Sequence, residues 1–153
     1  MIRSIFILSI LFAGSVSADV GDIWVSPYSH TEHYRFKSVF DRSGNYKKYV
    51  NSHPSLGIEY QDAETKSIGV GIYRDSYGTM SAYVSRHWSY GRYVGATMGV
   101  LAGPSYKYTI VPFAGPEITA QIMAVKLSLA YLPGFGAPRT PNLAVFQVAI
   151  NIR

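Results

Sequence analysis

The stretch YVGATMGVLAG, residues 93–103, alternates between two kinds of side chain. Apolar residues share one parity, namely Val94, Ala96, Met98, Val100 and Ala102. The other parity is mostly small or polar, with Gly95, Thr97, Gly99 and Gly103. Because successive side chains of a β-strand point to opposite faces of a sheet, this stretch predicts a strand with one apolar face and one small or polar face.

The same period of two recurs in SIGVGIYRDS, residues 67–76, and in NLAVFQVAINIR, residues 142–153. A soluble β-sandwich would share this pattern, but strand lengths of about ten residues and aromatic side chains near the strand ends favour a membrane barrel. We therefore predict an all-β fold, an eight-stranded antiparallel transmembrane β-barrel, since closure leaves no unpaired edge in lipid. The eight predicted segments are 22–36, 54–62, 66–75, 78–88, 91–103, 107–116, 121–132 and 142–153.

The first residues, MIRSIFILSILFAGSVSA, have the pattern of a secretory signal peptide: one basic residue, a short apolar stretch and small residues at the end. We expect residues 1–18 to be this signal and 19–153 to form a single outer-membrane barrel domain. The chain has no cysteine, so disulfides cannot stabilise it, whereas 13 Tyr, 7 Phe and 2 Trp suit a membrane interface. The formal net charge is +5 without a run of Lys or Arg, and the chain carries an export signal, so we expect lipid headgroups rather than nucleic acid as its partner.

If both termini lie on the periplasmic side, the outer loops are 37–53, 75–78, 103–107 and 132–141. This topology puts His33 at the same end of the barrel as Asp75 and Ser76. An imidazole, a carboxylate and a hydroxyl are the groups that acyl transfer requires. The alternative is that Asp75 and Ser76 only form the turn that Gly78 closes.

Two short motifs, TEHYRF at 31–36 and IYRDSYG at 72–78, resemble those of the lipid A palmitoyltransferase (PagP) family. The resemblance implies an acyltransferase that moves a palmitoyl chain from a phospholipid to lipid A, as a monomer in membrane lipid and without cofactor or metal. It implies His33 as general base oriented by Asp75, with Ser76 as nucleophile or oxyanion-stabilising hydroxyl. We expect the substrate to be bound by Arg35, Arg74 and Tyr73.

The segment GPEITAQIMAVKLSLAYLPGFG, residues 115–136, is similar to the last part of that family. The similarity implies that four prolines open lateral routes from the membrane into the barrel: Pro27, Pro54, Pro116 and Pro133. Proline interrupts a strand ladder because it lacks an N–H, although these prolines could also simply end strands.

Small inward residues predict room in the lumen for one extended acyl chain, or else packing space for the many tyrosines; they are Gly57, Gly69, Gly71, Gly95 and Gly99. The sequence departs from the family in its short amino terminus, in SYGTMSAY where the family is Trp-rich, and in its Ile-Arg end. Two alternatives therefore stand beside the transferase: a non-enzymatic structural or interaction barrel, and a lipid A deacylase or phospholipase.

Overall fold

The computed structural model describes residues 19–34, 38–40, 46–48, 51–75, 77–91, 93–104, 110–133 and 142–153. These residues contain ten strands and no helix long and apolar enough to cross a membrane. The strands are β1 Ile23–Tyr34, β2 Ser38–Phe40, β3 Tyr46–Lys48, β4 Ser52–Ala63, β5 Lys66–Arg74, β6 Met80–Tyr90, β7 Val94–Ala102, β8 Val111–Ile122, β9 Val125–Leu132 and β10 Asn142–Asn151.

Eight of the strands close into one antiparallel barrel, in the order β1, β10, β9, β8, β7, β6, β5, β4 and back to β1. The predicted fold class is therefore confirmed. β2 and β3 pair only with each other, and they form a small hairpin within the segment that the sequence indicated as the long loop 37–53.

The antiparallel order gives the barrel two unlike ends. The loop end lies where β1, β5, β7 and β9 finish. The terminal end carries residues 19–22 and 152–153 and the short connections that follow β4, β6 and β8. His33 and Asp75 lie at the loop end, as the topology predicts.

Two strand boundaries differ from the sequence-based prediction. The sixth barrel strand, predicted at 107–116, is β8 at Val111–Ile122, and the seventh, predicted at 121–132, is β9 at Val125–Leu132. Both prolines of β8 lie inside the strand and pair with β7, Pro112 opposite Val100 and Pro116 opposite Ala96. The turn follows at Met123, whose φ is 52°. The prediction ended the sixth strand at Pro116, whereas the ladder between β8 and β7 continues through both prolines.

Polar side chains line the inside of the barrel and apolar ones cover the outside. Among the described residues, the buried hydrophobic side chains are only Trp24, Ala130 and Ala149. Buried polar residues are far more numerous and include Ser26, Thr31, His53, Gln61, Ser67, Asp75, Ser85, Thr97, Glu117 and Lys126. The outward parity carries exposed apolar residues, including Leu56, Ile58, Val70, Ile72, Val84, Val94, Met98, Val100 and Leu129. This distribution is the reverse of a soluble core and is typical of a barrel whose outer wall meets lipid.

Candidate functional site

His33 is half-buried near the last residue of β1, and its Nδ1 lies 3.2 Å from Oδ1 of Asn51. β1 reaches this point because its odd positions beyond the bulge face inward, with Ser29 and Thr31 buried. Ser76 and Arg35 lie outside the described residues. Their predicted roles as nucleophile and phosphate ligand stay predictions.

Asp75 follows β5 and is only 1% exposed. Its Oδ1 accepts hydrogen bonds from the backbone N–H groups of Tyr77 (3.0 Å) and Thr79 (2.9 Å). Its Oδ2 accepts from the hydroxyls of Thr79 (2.8 Å) and Ser81 (2.9 Å). A carboxylate offers about four lone-pair sites, so these four bonds use its accepting capacity. With Gly78 at φ 84°, Asp75 forms the hairpin turn, as the turn interpretation predicts.

The other two residues predicted to bind substrate, Arg74 and Tyr73, lie in different parts of the barrel. Arg74 is exposed, and its Nε donates to the Gly78 carbonyl at 3.0 Å, so it sits on the rim. Tyr73 points into the lumen, where its ring meets His53 edge-on at 6.4 Å between centroids and Tyr83 at 6.1 Å. Arg74 therefore lies on the exposed rim, and Tyr73 lies among interior rings.

His53 is the residue of this end that the sequence analysis missed. It is 1% exposed, and neither ring nitrogen makes a hydrogen bond of normal geometry, although the Arg74 backbone passes beside the ring. The prediction began the second barrel strand at residue 54 and left His53 in the loop, whereas β4 begins at Ser52. The sequence did contain a signal for His53. It lies an even number of residues from Gly57 on the same strand, so both positions face the inside of the barrel.

The middle of the lumen is occupied by Tyr83. A Cβ added at Gly57 would lie 2.1 Å from the Tyr83 Oη, and one at Gly71 would lie 2.7 Å from its Cε1. Gly57 and Gly71 are directly opposite each other in β4 and β5, so both glycines make room for one ring. Gln147 Nε2, across the barrel on β10, donates to the Tyr83 Oη at 3.4 Å. These two glycines therefore serve packing rather than an open channel.

The remaining predicted glycines are also in close contacts. A Cβ at Gly69 would meet the Ser85 Oγ at 2.6 Å, one at Gly95 the Trp88 carbonyl oxygen at 2.4 Å, and one at Gly99 the Val84 carbonyl oxygen at 2.1 Å. At these positions too, the glycine permits a close approach.

Two of the four prolines lie at irregularities of the strand ladders. In β1 the register shifts between Val25 and Tyr28, and Pro27 there pairs with neither β10 nor β4. Between β8 and β9 the described ladder covers Glu117–Ile122 of β8, so it stops one residue after Pro116. Pro54 pairs with Tyr28. Pro133 directly follows the last residue of β9.

The terminal end contains a polar cavity of about 280 Å³. Lys126 Nζ lies 2.5 Å from Glu59 Oε1, and Ser67 Oγ donates to the same oxygen. His87 Nδ1 lies 2.8 Å from Glu117 Oε2. These ion pairs connect strands that are not neighbours, β9 with β4 and β6 with β8. No group of three metal-ligating side chains occurs among the described residues.

No protein-family model matches the chain, and no curated protein matches it. Its fold is similar to that of a solved chain described as "De novo design of transmembrane beta-barrels", with a TM-score of 0.60 and 13% sequence identity. The likeness covers 90% of this chain and 100% of the designed one. The chain thus shares the fold of a designed transmembrane β-barrel.

Proposed function

We propose that the protein is inserted in the bacterial outer membrane, with residues 1–18 as its export signal. Its apolar outer wall supports this proposal, because in water the wall would expose a contiguous apolar surface far larger than soluble monomers carry. The fold likeness to a designed transmembrane barrel agrees with it. In this orientation the loop end faces outward and meets the outer leaflet.

We infer that the loop end acts on membrane lipid as an acyltransferase, moving a fatty acyl chain such as palmitate from a phospholipid to a hydroxyl of lipid A. The observation that carries this inference is the irregularity of the ladders at two separate places of the barrel: the bulge at Pro27, and the end of the β8–β9 ladder at Glu117, next to Pro116. A continuous ladder seals a barrel against lipid, whereas strands that lack ladder bonds can part more easily to admit a lipid tail. The sequence predicts His33 as base and Ser76 as nucleophile or oxyanion donor at this end of the barrel.

The rim residues have roles that fit a lipid substrate. Arg74 is exposed and one of its nitrogens already holds Gly78, so the rest of its guanidinium faces the level of phosphate groups. Asp75 contributes its negative charge and the shape of the turn, since its lone pairs are used by the hairpin. The partners are a phospholipid donor and a lipid A acceptor, and no cofactor is required.

A second candidate function is a non-enzymatic surface barrel that retains the scaffold. Two observations favour it: Tyr83 fills the space beside Gly57 and Gly71, and the Asp75 carboxylate is bonded within its own turn. Both features stabilise a barrel without any substrate. This protein would present its loops to a partner and leave lipids unchanged.

One experiment separates the candidates. The full chain is expressed in a bacterial strain without lipid A palmitoyltransferase, and lipid A is examined by mass spectrometry beside His33→Ala and Ser76→Ala variants. A Ser89→Ala variant, changed at an exposed position of the terminal end, is the matched control. Folding is checked by the faster gel migration of an unheated barrel.

Transferase function predicts a gain of one acyl chain that persists in Ser89→Ala. Loss of this gain in the other two variants would assign the reacting groups to His33 and Ser76. Loss of a chain would identify a deacylase instead. Unchanged lipid A beside a correctly inserted barrel would reject both enzymatic functions and leave the surface barrel.

A further inference from the structure

Three buried polar atoms lie side by side on β4 at the loop end without a hydrogen bond of normal geometry. They are Oγ of Ser55 and both ring nitrogens of His53, beside which the Arg74 backbone passes. A buried polar group without a partner costs about 1–3 kcal/mol, so native structures contain few of them. The inward parity of β4 aims both side chains into the lumen, with Cβ atoms about 7 Å apart.

Asp75 lies beside the His53 ring. Ser55 is paired with Tyr73 across β4 and β5, and extending that register by two residues places His53 opposite Asp75. Side chains directly opposite each other have Cβ atoms about 5 Å apart. His53 and Asp75 are each 1% exposed. A carboxylate at this distance stabilises the imidazolium that forms when the ring accepts a proton.

His33 occupies a different level of the barrel. His53 is paired with Ser29 of β1, and His33 follows Ser29 by four residues, about 13 Å of extended strand. His33 is therefore farther toward the loop end, where Asn51 holds its Nδ1. Of these two imidazoles, His53 is the one that the register places opposite Asp75.

The bulge in the β1–β4 ladder adjoins the same spot. Ser26 pairs with Gly57 and Tyr28 with Pro54, so Pro27 on β1 and both Ser55 and Leu56 on β4 are left outside this ladder. A lipid group that enters between β1 and β4 there would reach the Ser55 hydroxyl first and the His53 ring two residues farther along. Both have hydrogen-bonding capacity to offer.

We propose that His53 and Ser55, rather than the sequence-predicted His33 and Ser76, form the reacting centre of the acyl transfer, with His53 as the base and Ser55 as a hydrogen-bond donor to the ester carbonyl. The inference rests on the acyltransferase function proposed above. The acceptor hydroxyl oxygen bonds to the acyl carbon of the phospholipid ester, and the bond from that carbon to the glycerol oxygen breaks. His53 takes the proton of the attacking hydroxyl and gives it to the departing lysophospholipid oxygen. The products are acylated lipid A and a lysophospholipid, without any redox change.

The test compares His53→Gln and Ser55→Ala with wild type in the lipid A assay and with purified protein in phospholipid and lipid A micelles. His30→Gln is the matched control, since its ring lies at the same end of the barrel, on the neighbouring strand β1, but pairs with Glu32 at a partly exposed site. We expect His53→Gln to lower the rate about 100-fold or more and Ser55→Ala about 100-fold, with His30→Gln within twofold. Gel migration of unheated samples reports folding.

A pH profile distinguishes chemistry from packing. The wild-type rate should fall as the pH drops and the base is protonated, and the residual rate of His53→Gln should lose this dependence. A folded His53→Gln variant that keeps wild-type activity overturns the reacting centre while the acyltransferase function stands. A wild-type protein without activity overturns both.

Discussion

The ion pair between Lys126 and Glu59 offers a quantitative test of the lumen. The two side chains are 9% and 13% exposed, and Lys126 Nζ also lies 5.0 Å from the centre of the Trp24 ring. Replacing Lys126 by Met leaves the Glu59 charge buried with only the Ser67 hydroxyl and the more distant His87. Two unit charges about 4 Å apart interact by about 4 kcal/mol at an effective dielectric constant near 20. We therefore expect Lys126→Met to lower the free energy of unfolding by about 3–5 kcal/mol.

The chain provides its own matched control. Arg86 and Asp62 make an ion pair of similar length, 2.6 Å between Nη1 and Oδ2, but their side chains are 30% and 33% exposed. Exposed pairs contribute about 0–1 kcal/mol because water and salt screen them. Arg86→Met should therefore change the free energy of unfolding by less than about 1 kcal/mol. Burial, rather than distance, accounts for the difference between the two variants.

The assay is urea unfolding in lipid vesicles at pH 7, followed by the fluorescence of Trp24 and Trp88. The double variant Lys126→Met, Glu59→Gln should recover most of the loss, because it removes the unpaired charge and retains a partner for Ser67. The reasoning is refuted if Lys126→Met and Arg86→Met cost equally little. It is also refuted if the double variant is as unstable as Lys126→Met alone.

Three further predictions use the same unfolding assay. Gly57→Ala should lower the free energy of unfolding by about 1–3 kcal/mol, because the new Cβ would lie 2.1 Å from the Tyr83 Oη. Adding Tyr83→Phe removes that oxygen, leaves the 3.3 Å contact with Cζ and should restore most of the loss; no recovery would mean that the ring does not occupy this space. Val70→Arg, in the middle of the outer wall, should cost about 2–4 kcal/mol against about 0–1 kcal/mol for Ile152→Arg at the terminal end, and equal costs would argue against a lipid-facing belt. Asp75→Ala should cost about 2–3 kcal/mol, whereas Asp75→Asn, which can still accept from the turn N–H groups, should cost under about 1 kcal/mol; an equal loss in both would contradict the turn role.

The barrel could be predicted from sequence because its signal is local. Alternation within residues 93–103 identifies which side chains face outward, and the structure exposes Val94, Met98 and Val100 while it buries Thr97. The RDSYG turn was equally local, since Asp and Gly at fixed offsets favour a hairpin. Neither inference needed a residue from another strand.

The interior contacts could not be predicted because they depend on residues far apart in sequence. Tyr83 and Gln147 are 64 residues apart, and only the barrel brings them together. The start of β4 was missed because Pro54 was taken as the strand boundary, which hid His53. The extension of β8 was missed for the same reason at Pro116. In both cases the proline weakened the ladder to one neighbouring strand while the ladder to the other neighbour continued. Pro54 still pairs with β1, and Pro116 still pairs with β7.

The two ion pairs described in the lumen, His87–Glu117 and Lys126–Glu59, lie next to the ladder irregularities at Pro116 and Pro27, on the side that faces the terminal end. Glu117, held by His87 of β6, is the last β8 residue in the ladder to β9 before Pro116. Glu59, held by Lys126 of β9, is paired with Trp24, next to the β1 bulge that contains Pro27. A ladder that ends within a wall tends to open further, because each freed pair exposes the next. Contacts across the lumen oppose this by tying the strands on either side of each gap to distant strands. Among the described residues, the two ion pairs therefore brace the barrel at the level where its ladders are irregular.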